Sequence, residues 1–596
     1  MPFIDSFDLG IKLISGRQLG IDTEPPPNKK PSRSFKQTRG KITIVAGRTK
    51  RAVLFKRKTR DRTIDLTGAK PNVAMNINDH DGATYPVQTN VSGLDLRDTP
   101  ISRDNGNTMS SVNCDLIVIG SGFGGSVCAL RAAEAGLRVI VLERGPRITP
   151  RVYEDIADGH APIFHAEGNP GILELHRLKG LLALTANGVG GGSNVYTAVT
   201  VRPPREAFED GWPSGLNLET LAPCYNRVEA MIAPTPIPQA VARTTTLESI
   251  GRKMGEDVTR LPLSMTWPDD PAVLRQQPVA NGVYHELATW LQGGRAARKK
   301  TLDQTYLPHA QSHGAEIRPH SEVHAIIPEA DAYRVSYRRW HRDAYQENSI
   351  VAPYVVIAAG ALNTTRLLLQ CRDVSRTLPN LSKRLGRQFY TNGDFGGLLI
   401  GPEVDLTPDA GPPVTAWLDL WKRERLYLME TGLVPYDLGG LAGLLNPATW
   451  CGTMRSSKAK RRTWSFGIMG YNDNPGQLVL GRRGALVHRH NPDVGAAFQA
   501  RSMAVLRELA ETAKAKLMAP PAVFARRLPI TVHPLGGAGI AESPESGVTN
   551  PYGEVFGYPG LFVADGGLLP RPTGAPPSMT IAALAERNIE HFVKQR

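Results

Sequence analysis

The chain has 596 residues, enough for several domain-sized units or fewer large ones. With 41% apolar and 21% charged residues it can bury a large core, which excludes a wholly disordered chain; its 59 glycines show no Gly-X-Y period, which excludes collagen. Lys and Arg number 70 against 56 Asp and Glu, a net charge of +14, and five scattered cysteines without a C-x-x-C pair exclude a disulfide framework, a zinc ribbon and a thioredoxin-type site. The start, Met1-Pro-Phe-Ile-Asp5, lacks a basic region followed by an apolar stretch, and no run approaches the roughly 18 apolar residues of a membrane span. A reduced, cytoplasmic protein is the expectation.

Much of the positive charge sits early. Residues 1–108 hold 19 Lys and Arg against 11 Asp and Glu, in runs such as Lys29-Lys30 and Lys56-Arg57-Lys58. A nucleic-acid arm has this charge, but few aromatic residues and no reader motif accompany it, so nucleic acid is not an expected partner. The segment reads as a basic extension, disordered or outside the natural fold, in which Lys41–Val45 and Ala52–Phe55 suit a short hairpin. Met109 would make a natural start for the folded unit.

Asp115-Leu-Ile-Val-Ile119 has the β-branched apolar character of a buried parallel strand. Gly120-Ser-Gly122-Phe-Gly124-Gly125 follows it, then a helical pattern to about Ala135, a second strand Leu137–Leu142 and Glu143. This is the strand–turn–helix–strand context that gives G-x-G-x-x-G its meaning. Gly120 allows the tight turn, Gly122 lets backbone approach a pyrophosphate, and Gly125 permits close helix–strand packing. The helix N-terminus then offers unpaired N–H groups to phosphate. Glu143 stands where a carboxylate takes ribose hydroxyls, which favours NAD or FAD over NADP. A second glycine cluster, Gly188-Val-Gly190-Gly191-Gly192, suits backbone lying against a flat or charged ligand. Tyr354–Gly360 reads as a strand before a helix from Leu362. Near the end, Leu561-Phe-Val-Ala-Asp565-Gly566-Gly567 is again strand, acid and glycines, followed by a helix from Met579.

In their order, these stretches resemble the glucose–methanol–choline (GMC) oxidoreductases, and within them the class I cholesterol oxidases, which hold FAD noncovalently. Lys300–Leu307, His533-Pro-Leu-Gly-Gly537 and Gly557–Gly566 add to the likeness, which does not reach residues 1–108. The resemblance implies an α/β (α+β overall) fold: a Rossmann-like FAD-binding domain assembled from 109–148, 299–386 and 553–596, with a sheet-and-helix substrate domain from 149–298 and 387–552. It implies that Gly120, Gly122, Phe123, Gly125 and Glu143 hold the ADP half of FAD, with Val323 near the adenine and Gly191, Gly192, Asp565 and Gly566 along the ribityl and flavin portion.

The same resemblance implies oxidation of a secondary alcohol by hydride transfer to flavin N5, on a sterol or similarly bulky apolar alcohol, with O2 or another acceptor restoring the flavin. His533 matches the family's active-site histidine. Glu430, in an apolar stretch, matches its buried pocket base, which also moves a steroid double bond from Δ5 to Δ4. Two departures stand out. The family's C-terminal Asn and Phe are Pro576 and Ser578 here, and its glycine-loop Asn aligns with Tyr196, with Asn194 two positions earlier. They leave open a dehydrogenase for a different alcohol, or a site that has decayed to FAD binding alone. A sterol would be drawn from a bilayer, so transient membrane contact is an expectation. No metal site is expected.

Overall fold

Short, mostly apolar runs build the central parallel sheet of the larger unit, Asn107–Arg596. In the computed structural model they are Leu116–Ile119 (β1), Val139–Leu142 (β2), Glu316–Arg318 (β3), Tyr354–Ile357 (β4) and Leu561–Val563 (β5). They form one sheet in the order β3-β2-β1-β4-β5, every neighbouring pair parallel. All residues of β1 and β2 are buried, as a parallel sheet covered on both faces requires. Helix α1 (Phe123–Glu134) links β1 to β2, α2 (Ala361–Leu369) follows β4, and α3 (Ser578–Gln595) follows β5 and packs on α1. Strand order reverses between β1 and β4, which opens a crevice at the carboxyl ends of these strands. This is the expected Rossmann-like arrangement.

The chain divides into Met1–Gly106 and Asn107–Arg596. The structure describes short strands of the first unit and, in the second, residues 112–166, 171–276, 283–294, 297–341, 344–401, 406–408, 410–432, 462–518 and 530–596. In the first unit, Thr43–Ala46, Ala52–Arg57 and Arg60–Asp65 pair antiparallel in sequence order. Met75–Asn78 and Thr84–Val87 form a second antiparallel pair, and the expectation of disorder in 1–108 otherwise falls on residues outside the described ones, as does Cys451.

Among the further sheets of the second unit are two that border the crevice. A three-stranded antiparallel meander, Ser321–Ala352, follows β3. A six-stranded antiparallel sheet runs in the order Asp257–Arg260, Val414–Leu420, Leu426–Thr431, Thr463–Gly470, Phe395–Ile400, Lys516–Met518. Its strands alternate between two cores. Leu418, Leu426, Leu428 and Phe466 pack against helices Ala242–Met254 and Pro492–Thr512, while Trp417, Tyr427, Met429 and Met469 turn the other way, toward Tyr196 and Ala575.

The β1–α1 turn fits its neighbours with no room for a side chain. Gly120 has φ +99° and a Cβ there would stand 2.3 Å from the Ala358 oxygen; at Gly124 it would stand 1.5 Å from the Ala564 oxygen. Gly124→Ala must therefore force α1 away from the end of β5. A loss of about 1–3 kcal/mol is expected, read as a lowered thermal midpoint; an unchanged midpoint would contradict this packing.

Candidate active site

The crevice opens into a cavity of about 790 Å³ that runs from the glycine turns to the antiparallel sheet. Gly120, Gly122, Phe123, Glu143, Gly191, Gly192, Val323, His533, Asp565 and Gly566 all line it. Gly125 does not. It sits within α1, where a Cβ would meet the Gly120 oxygen at 2.1 Å, so its part is to let helix and turn touch.

At the glycine end, Glu143 ties the turns together. Its Oε2 accepts from the Ser121 amide (3.1 Å) and hydroxyl (2.7 Å), and its Oε1 from the Gly145 amide (2.8 Å). Ser121 Oγ in turn accepts from the Gly190 amide at 3.1 Å, which joins the two glycine clusters. Arg144 also lines the cavity, held by Glu174 and by Asn187 Oδ1 at 2.9 Å. Glu322, His324, Arg338 and Glu347 of the meander complete this charged region.

Three features fit a dinucleotide here. The N-terminus of α1 at Gly122 has no side-chain cap, so its amides remain available to phosphate. Around Gly122 no heavy atom lies within 4 Å of where a Cβ would stand. At the uncapped N-terminus of α3, Ser578 Oγ lines the cavity, buried and without a hydrogen-bond partner among the described residues.

Asp565 is shared between β5 and α2. It accepts from the Gly360 amide (2.9 Å), Thr364 Oγ1 (2.5 Å) and the Gly567 amide (2.7 Å). Burial nevertheless pushes its carboxyl up to about 6.

Toward the antiparallel sheet the walls turn apolar, with Leu173, Leu184, Val199, Trp290, Leu291 and Met429. Tyr196 joins them, edge-on to Phe123 at 5.6 Å, and Pro576 and Ser578 also line the cavity. Asn194 turns away; its amide donates to the Val189 carbonyl at 2.8 Å.

His533 stands at this junction, and its Nδ1 lies 2.8 Å from Asp394 Oδ1. A carboxylate only accepts, so Nδ1 carries the hydrogen, and in the neutral ring Nε2 is then the acceptor. Sequence reading missed Asp394. It lies 139 residues away in the chain, in a Thr391-Asn-Gly-Asp turn with no spacing signal.

Glu430 is not brought to the cavity, a correction to the expected pocket base. Strand alternation decides it: Met429 faces the cavity, and Glu430 shares the helix-side face with Leu426 and Leu428. Arg243 Nε donates to Glu430 Oε2 at 2.6 Å, both side chains are fully buried, and Thr415 donates its amide (2.8 Å) and hydroxyl to Oε1. Arg243 also donates to the carbonyls of Pro408, Ala410 and Pro412. Glu430 is thus a paired structural anion.

Comparison with known proteins agrees with this geometry. Two sequence models of the GMC oxidoreductases match residues 101–372 and 487–585. The chain belongs to the GMC oxidoreductase family, and is an oxidoreductase acting on CH–OH donors. Family members are flavoproteins, so FAD is the expected cofactor. A cholesterol oxidase of Mycobacterium tuberculosis is 29% identical over 547 residues, covering 79% of this chain and 90% of that one. A 2-methyl-1,2-propanediol dehydrogenase of Mycolicibacterium austroafricanum is 22% identical over 80% of this chain and 95% of its own. The crystal structure of pyridoxine 4-oxidase from Mesorbium loti superposes with TM-score 0.56 at 16% identity, over 80% of this chain and 99% of that one, which shows a shared fold. No helix among the described residues is long and apolar enough to cross a membrane.

Glu430→Gln leaves the Arg243 guanidinium uncompensated and should cost about 3–5 kcal/mol. Glu430→Leu combined with Arg243→Met should cost less. Denaturant unfolding of the three proteins checks the order, and a double variant worse than the single one would contradict it. For Asp565, the folded state holds the proton more tightly than the unfolded chain, whose carboxyl has its ordinary value near 3.8. Its contribution is therefore most favourable below about pH 4 and is lost as pH rises to about 6, by on the order of 2–3 kcal/mol. In protein free of cofactor, the stability difference between wild type and Asp565→Asn should move by this amount across that interval; a flat difference would refute the assignment.

Proposed function

We propose that this protein uses noncovalently held FAD to oxidise a bulky apolar alcohol, with 3-hydroxysterols the leading class. The observation that carries the reading is one cavity with two characters: glycine turns and an open helix N-terminus in one part, apolar walls in the other, and His533 where they meet. Its volume lies within the range of small-molecule sites.

In this reading Gly120, Gly122, Phe123 and the α1 amides receive the diphosphate. Glu143 takes ribose hydroxyls, Val323 borders the adenine, and Gly191, Gly192, Asp565 and Gly566 flank the ribityl and flavin. Segments 109–148, 299–386 and 553–596 form the FAD lobe, supported by their supplying all five strands of the parallel sheet. Segments 149–298 and 387–552 form the substrate lobe, supported by their supplying the six-stranded sheet. When bound, FAD supplies the two-electron acceptor for the hydride of the carbinol carbon. The chain's own work is to exclude water with Leu173, Trp290 and Met429 and to take the hydroxyl proton at His533 Nε2.

Among the described residues, the carboxylates that line the cavity are Glu143, Glu322, Glu347 and Asp565, all in the glycine turns or the meander. With Glu430 bound to Arg243, a Δ5-sterol should leave as a ketone with its double bond unmoved. Pro576 favours a second reading, a dehydrogenase for another alcohol with an acceptor other than O2, because proline supplies neither a side-chain hydrogen bond nor an N–H there.

Anaerobic mixing with a panel of sterols and long-chain alcohols tests the proposal. Bleaching of the flavin band by sterols, slowed on the order of 10²–10⁴-fold in His533→Ala, is expected. A flavin-loaded protein that no alcohol bleaches would overturn it. Reoxidation by air rather than by a dye alone separates the two acceptors.

A further inference from the structure

We propose that Asp394 is a positioning residue that fixes the tautomer and aim of His533, and that its turn sets both loops flanking the reacting end of the cavity. This rests on the reading of His533 given above. Each oxygen of Asp394 has its own task. Oδ1 takes the His533 Nδ1 hydrogen at 2.8 Å. Oδ2 takes the backbone amides of Val532 (2.8 Å) and His533 (3.0 Å) and the Thr531 hydroxyl (2.7 Å). The carboxylate therefore holds the histidine's ring and backbone together. His533 lines the cavity, and in its neutral ring Nε2 is left without a hydrogen, as acceptance of a hydroxyl proton requires.

Two residues earlier, Asn392 holds the opposite loop. With φ +54°, it accepts from the Gly574 amide at 2.9 Å and donates to the Ala575 carbonyl at 2.9 Å. That loop carries Pro576 into the cavity. The turn is itself seated by strand pairing, since Phe389–Tyr390 pairs antiparallel with Leu535–Gly536 just past His533. Thr531 Oγ1, which donates to Asp394 Oδ2, also lies 3.1 Å from the Thr391 carbonyl, so its single hydrogen is shared between the two. One short turn thus sets His533 relative to Pro576.

Nitrogen NMR of His533, assigned by its loss in His533→Gln, tests the first claim without substrate. In the neutral ring of wild type, Nδ1 must be protonated and Nε2 bare; the reverse tautomer overturns the proposal. In Asp394→Asn, whose amide nitrogen can donate to Nδ1, the tautomer should switch. Flavin reduction should then slow on the order of 10²–10⁴-fold, and Asp394→Glu should restore most of the rate. In a His533→Ala background, Asp394→Asn should slow reduction no further. Additive losses, or an unchanged tautomer in Asp394→Asn, would mean that Asp394 only supports the fold. If no alcohol reduces wild-type flavin, the functional reading fails, while the wild-type spectrum still decides the role of Asp394.

Discussion

Everything in the catalytic unit depends on how closely the β1–α1 turn approaches the ends of β4 and β5. Gly120 lies against Ala358 and Gly124 against Ala564, at separations no side chain survives. Because the approach is that close, the start of α1, the Gly360 turn and the Asp565 turn converge on one crevice. The amides left over at the head of α1 are then all directed at a single ligand position. A cavity that would otherwise be a gap between sheets becomes a cofactor cradle.

The antiparallel sheet supplies the other half through side-chain alternation. One face, with Trp417, Tyr427 and Met429, packs toward Tyr196, and Met429 reaches the cavity, while the opposite face binds the helices. A single-residue offset separates Met429, at the cavity, from Glu430, bound to Arg243. Arg243 and Glu430 neutralise each other at full burial, which anchors helix Ala242–Met254 to the sheet. In the proposed reading, the chemistry left to the cavity falls to His533 and its carboxylate partner Asp394.

The parallel sheet and its glycine turn could be read in the sequence because they are local: strand, turn, helix, strand and acid fall between Asp115 and Glu143. The same holds for the Asp565 turn and the C-terminal helix. His533 was found through resemblance, since a histidine before Pro-Leu-Gly-Gly has no physical signature of its own. Asp394 was not found, because its contact with His533 joins distant segments through a two-residue strand pairing. Glu430 was misplaced for a related reason. A lone acid in an apolar strand marks burial, but its face is fixed by the register with Thr463–Gly470 and by a partner 187 residues away.

The central claim is that His533 Nε2 meets the substrate hydroxyl beside a cofactor seated on the α1 turn. The most direct measurement is the structure of the FAD-loaded protein with a bound apolar alcohol. The account predicts the diphosphate at the head of α1, the hydroxyl oxygen about 2.6–3.2 Å from His533 Nε2, and Glu430 still on Arg243. A hydroxyl held by another group, with His533 turned away, would contradict it.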